Sequence, residues 1–241
     1  MSPLPKLPDV VVPFGLEIRG TDADMKQLAG FRNLAKLNLD GSVTAAGLKE
    51  LAGLVKLAEL RLGEEQVTAA GLKELAEFKG LRSLSLSSLQ PTDAAITELV
   101  RLTHLEELEL NGTSLHATDI KGLAALNRLS TLRLHTVSDR DLEVLRDVGL
   151  LYALANAAGK DGARPKSADE VSSFDVTGDM TPAGLKTLRT FKNLRSLRFY
   201  GREFTDAWLK EVVRFENLAA LDLGCTFRQN LSPWRSLNEE V

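Results

Sequence analysis

The chain has 241 residues, 44% of them hydrophobic and 26% charged, with a net charge of −3. Such a balance suits a folded chain and gives no overall pull towards nucleic acid or an anionic membrane. Its single cysteine, Cys225, excludes an intrachain disulfide and a cysteine-built metal cluster, and no run approaches the ~18 apolar residues of a membrane span.

Residues 1–13 hold four prolines and lack a cationic stretch followed by an apolar run, so they do not read as a secretory signal. They are expected to run extended and to shield the edge of the first repeat, since an open strand edge invites association. A cytoplasmic location is the corresponding expectation.

From residue 14 a single unit recurs. Leu-x-Leu-like triplets begin at Leu16, Leu37, Leu60, Leu84, Leu108, Leu132, Phe174, Leu197 and Leu221, at intervals of 21, 23, 24, 24, 24, 42, 23 and 24. A period in the twenties is the mark of a solenoid, in which no unit buries its apolar face alone. Thr44 to Leu62 shows the physics of one unit. Thr44 is a candidate N-cap, and Leu48, Leu51 and Leu54 form the apolar stripe of a short helix. Leu57, Leu60 and Leu62 enter the core from the turn and strand, while Glu59 and Arg61 alternate outwards. Further helix starts are predicted at Thr68, Thr92, Thr118, Ser138, Thr181 and Thr205. Small residues after the caps, such as Gly47, Gly71 and Gly184, are predicted to give clearance between neighbouring helices. Strands about 4.8 Å apart and helices about 10 Å wide cannot share one stacking step, so the helices must take the outer, convex side.

The string T-x-x-G-L-K-E-L-A, followed by L-x-x-L-x-L, resembles bacterial leucine-rich repeats of the planctomycete-like kind. It is also similar to a shortened F-box-type or ribonuclease-inhibitor-like repeat. The resemblance implies an α/β solenoid, a right-handed horseshoe with a parallel sheet on the concave face and short helices outside. It further implies a protein-binding scaffold rather than an enzyme. The cysteines of the F-box type are absent and no F-box-like segment precedes the array, so a ubiquitin-ligase adaptor role is not implied. About nine repeats are expected over 14–226, with a short cap at 227–241 in which Ser232, Pro233 and Trp234 read as N-cap, first helical residue and apolar anchor.

The interval of 42 marks an insertion at 155–170. Leu142, Leu145, Val148, Leu151 and Leu154 keep a spacing of three, which predicts one long helix to about Ala158 and no hidden repeat. A polar loop with turn formers occupies 159–167. It reads either as a protruding binding loop or as a tolerated insertion.

Catalytic signatures are missing from the sequence. His104, His116 and His135 have no metal-ligand spacing, and there is no nucleophile elbow, phosphate loop or His-Glu-x-x-His. His104 and His116 read as solvated, and Cys225 as a structural thiol. No catalytic residue, cofactor or metal is expected. Interest falls on the middle triplet positions Asn38, Arg61, Ser85, Glu109, Arg133, Asp175, Arg198 and Asp222, whose charges alternate in sign from Glu109 onwards. In a parallel, in-register sheet they would be lateral neighbours, and the row reads either as a self-paired ladder or as a recognition strip. Interfaces favour Tyr and Arg, so Arg133, His135, Asp175, Arg198, Tyr200 and Asp222 are the candidate partner-binding residues. The expected role is non-catalytic binding of a protein partner, with neither nucleic acid nor membrane. Self-association through the solenoid ends and service as an accessory region of a larger enzyme are the alternatives.

Overall fold

The computed structural model describes residues 11–63, 67–87, 89–177, 180–200 and 205–224. The chain forms two compact units, one up to His135 and one from Thr136. Most of segment 1–13, Cys225 and the cap at 227–241 lie outside the described residues.

The first unit alternates strands with short helices. The strands are β1 (Phe14–Arg19), β2 (Leu34–Asp40), β3 (Glu59–Leu62), β4 (Ser83–Ser87), β5 (Glu107–Asn111) and β6 (Thr131–Leu134). The helices are α1 (Asp22–Leu28), α2 (Ala45–Glu50), α3 (Ala69–Leu75), α4 (Asp93–Leu99) and α5 (Ala117–Gly122). The six strands form a parallel sheet in chain order. Triplet leucines stack in register, Leu37 on Leu60, then Leu84, Leu108 and Leu132, and all five are buried. Each such side chain contributes about 1.5–3 kcal/mol on leaving water. Main-chain bonds just before the strands repeat the step. Ala58 N–H donates to Ala35 C=O, Arg82 to Ala58, Glu106 to Arg82 and Ser130 to Glu106, each at 2.8 Å.

Helices of six or seven residues are unstable alone and depend on packing and caps. Thr44, Thr68 and Thr92 accept N–H bonds from Ala46, Gly71 and Ala95 at 3.2, 3.3 and 3.2 Å. Contrary to the sequence expectation, α5 begins at Ala117 with His116 as its cap, not at Thr118. The Asp119 carboxylate, three residues on, accepts the His116 N–H at 2.7 Å, the reciprocal bond that fixes His116 as the cap.

The second unit contains α6 (Asp139–Asp147), β7 (Ala157–Ala158), β8 (Ser173–Val176), α7 (Gly184–Leu188), β9 (Ser196–Tyr200), α8 (Asp206–Val212) and β10 (Ala220–Gly224). Its sheet runs β10-β9-β8-β7, parallel except that β7 is antiparallel to β8. The predicted long helix is not formed. The α6 helix ends at Asp147, Gly149 takes a left-handed φ of 75°, and a separate 3-10 turn covers Leu151–Ala153. Leu151, Leu154 and Ala157 are buried in the manner of Leu54, Leu57 and Leu60. A coil therefore does lie within the long interval, with alanine in a leucine slot. Residues 159–172 then return the chain to β8.

Glycines after the caps leave space for the preceding coil, though not always for a helix backbone. A Cβ at Gly47 would lie 2.3 Å from Asp22 Oδ1, and one at Gly184 would lie 2.3 Å from Asp139 Oδ1. Both aspartates reach the threonine ahead of the next helix: Thr44 is the N-cap of α2, whereas Thr181, contrary to the sequence expectation, lies three residues before α7, whose N-cap is Ala183. The Asp22 carboxylate accepts the Thr44 N–H at 2.8 Å and its hydroxyl at 2.6 Å. Asp139 does the same for Thr181, whose N–H lies 2.9 Å away.

Candidate recognition surface

The alternation that buries the triplet leucines turns the intervening side chains to the other face of the sheet, where the charged ones are exposed or half-buried and Ser85 is buried. In the first unit the middle row is Glu17, Asn38, Arg61, Ser85, Glu109 and Arg133, matched across adjacent strands. Arg133 and Glu109 form an ion pair at 3.6 Å. In the row beside it Lys36 pairs with Glu59 at 2.7 Å, and the Ser83 hydroxyl donates to Glu107 at 3.1 Å. The hydrogen bond that Lys36 donates to Glu59, then the Glu59 negative charge, raises the Lys36 pKa above the usual lysine value. His135 comes directly after β6 and is exposed.

In the second unit Asp175, Arg198 and Asp222 occupy one row on β8, β9 and β10. Arg198 Nε lies 3.4 Å from Asp175, and another of its N–H groups donates to the Tyr200 hydroxyl at 3.4 Å. That hydrogen bond first, then the Asp175 charge, raises the guanidinium pKa above its usual value. Tyr200 is 47% exposed, so the arginine holds an aromatic ring that remains available to solvent.

Of the six candidate residues, Asp175, Arg198, Tyr200 and Asp222 are thus brought together on the second sheet, whereas Arg133 and His135 belong to the first. The alternating row is interrupted: β6 and β8 are in different sheets, so Arg133 and Asp175 are not lateral neighbours. Within each sheet one opposite-sign pair of the row forms, Glu109 with Arg133 and Asp175 with Arg198. Two members escaped the sequence reading. Glu17 begins the first row, and its signal was the Leu16-x-Ile18 triplet itself. Arg195 stands one residue before β9, outside the triplet that drew attention, and borders a cleft with the 159–164 segment.

The histidines read as solvated divide. His116 is an exposed helix cap, whereas His104 is partly buried. Burial first, then the charges of Arg82 and Lys79, lowers the His104 pKa below the ordinary histidine value. Among the described residues no helix is long and apolar enough to cross a membrane.

Strand-helix coils of about 24 residues, leucines stacked in register and a parallel sheet define an α/β leucine-rich-repeat fold. A solved internalin from Listeria monocytogenes has a similar fold, with a TM-score of 0.54 and 19% sequence identity over 90% of this chain and 68% of that one. At that identity the likeness shows the fold alone. No protein-family model matches the chain, and no curated protein matches it either.

Proposed function

We propose that this protein is a non-catalytic recognition module that binds a protein partner on the solvent side of its strands. The observation that carries this reading is the second sheet's row, where Asp175 and Tyr200 both hold Arg198 while Tyr200 stays exposed. A guanidinium fixed before binding loses less conformational freedom on association, and Arg with Tyr is a pairing enriched among interface anchors. Asp222 completes this surface, and Arg133 with His135 supplies a contact on the first sheet. The leucine-rich-repeat architecture supports the reading, since it spends its apolar residues on stacking and leaves a broad polar face.

The test is affinity capture from native lysate with the full chain against a variant carrying Arg133→Glu and Arg198→Glu. Loss of a specifically retained protein, with the circular-dichroism melt close to wild type, is expected. A second comparison uses Arg198→Ala with Tyr200→Ala, for which binding weaker by about tenfold or more is expected from the loss of an anchor pair. Retention of the same partner by both variants would remove this surface from consideration.

A further inference from the structure

The second unit holds an open cleft of about 930 Å³ between the 159–164 segment and the beginnings of β8 and β9. Its lining includes Lys160, Arg195 and Arg198, with the hydroxyls of Ser173 and Ser196. Several charged groups around it already have partners. Arg164 donates to the carbonyls of Ala155 and Ala157 at 3.1 and 3.5 Å, and Glu170 accepts the Lys166 N–H at 2.9 Å. Arg195, Lys160, Ser173 and Ser196, by contrast, have no side-chain partner among the described residues. Ser173 and Ser196 are matched across β8 and β9, with Asp175 and Arg198 the next outward-facing pair.

We infer that this cleft receives a carboxylate side chain from an extended acidic segment of a protein partner. Arg195 supplies the uncommitted guanidinium, Ser173 and Ser196 donate hydroxyl hydrogens, and Lys160 faces the group from the loop. The inference rests on the proposed recognition role and gives the partner a chemistry. A guanidinium with flanking hydroxyls suits a planar carboxylate, because charge-assisted bonds are the strong ones. Asp161, Asp169 and Glu170 also border the recess. Their charge restricts the site to one or two carboxylates and disfavours a polyanion such as nucleic acid. The volume exceeds that of one side chain, which leaves room for the backbone on either side.

The probe is a capped peptide with two adjacent glutamates in a Gly/Ser background, titrated into the ¹⁵N-labelled full chain. Its glutamine counterpart is the control. The expected result is amide shifts centred on Ser173, Arg195 and Ser196, produced by the glutamate peptide alone and reduced by added salt. Arg195→Gln should weaken binding about tenfold or more, since it removes a charged hydrogen-bonding group. The exposed position of Arg195 keeps that variant folded, which an unchanged melt verifies. Lys49→Gln, at an exposed position on α2 in the first unit, should leave affinity within about twofold. Equal binding of the glutamine peptide, shifts centred elsewhere, or an Arg195→Gln variant within twofold of wild type would each overturn the inference. If those results come while Arg133→Glu with Arg198→Glu still abolishes protein capture, the cleft assignment fails and the wider recognition role stands.

Discussion

Replacing Gly184 by alanine sets helix propensity against packing. In an open helix the change favours folding by about 1 kcal/mol. Here the new methyl would sit 2.3 Å from Asp139 Oδ1 and 2.8 Å from Met180 Cγ. The carboxylate must move, and its bonds to the Thr181 N–H and hydroxyl weaken with it. Hydrogen bonds to a charged group are worth about 1.5–3 kcal/mol each. Both lie at the surface, where water replaces part of that value. Set against the propensity gain, the net expectation is a loss of about 1–2 kcal/mol. At about 2–4 °C per kcal/mol for a chain of this size, the melting temperature should fall by roughly 2–8 °C. Thermal unfolding of Gly184→Ala, Asp139→Ala and the double variant checks this. Once the carboxylate is gone only the contact with the flexible Met180 side chain remains, so Gly184→Ala should lower the melt less in the Asp139→Ala background than in wild type. A Gly184→Ala protein that melts higher than wild type would refute the clamp.

Gly53→Ala provides the contrast, because no atom lies within 4 Å of the added methyl. It should stabilise the chain by about 0.5–1 kcal/mol, read from the same melts. Asn156 donates to the Asp175 carbonyl at 2.8 Å and to the Thr177 hydroxyl at 2.7 Å. Asn156→Ala should therefore cost about 1–3 kcal/mol and speed hydrogen exchange of the Asp175 amide, which bonds to the Asn156 carbonyl at 2.9 Å. Unaltered exchange there would count against this bracket. The His104 pKa is depressed in the folded chain, so the unfolded chain takes up the proton first as pH falls. Its contribution is intact above about pH 6.5 and declines as pH falls below that value through the folded pKa. Wild type should accordingly lose melting temperature between pH 7 and 5 more steeply than His104→Gln. Parallel curves would show that burial of this ring has no bearing on acid stability.

The coils were legible because leucine recurs at the same slots, and stacking demands that recurrence. The opposite charges of Glu109 and Arg133, and of Asp175 and Arg198, were legible as pairs for a related reason: equal phase along the repeat means lateral adjacency. The coil at 151–158 was not, since Ala157 fills its slot with a residue of low apolar contrast. A spacing of three also fits two short turns as well as one helix. Gly149, left-handed between them, was the available signal. Nor could the Asp139–Thr181 clamp be read from sequence. Its partners are 42 residues apart and meet only because the interval contains an additional coil. Arg133 and Asp175, which equal phase along the repeat alone would place in one row, fall in different sheets.

The main-chain bonds that run from Ala58 to Ala35, from Arg82 to Ala58 and from Glu106 to Arg82 are indifferent to which side chains those residues carry. A segment copied in frame from one such position to the next would therefore arrive with its own means of docking onto the segment before it. Within the first sheet, growth or loss of whole coils is thus open to simple genetic duplication and deletion. Its length can change in evolution without a new core having to be invented.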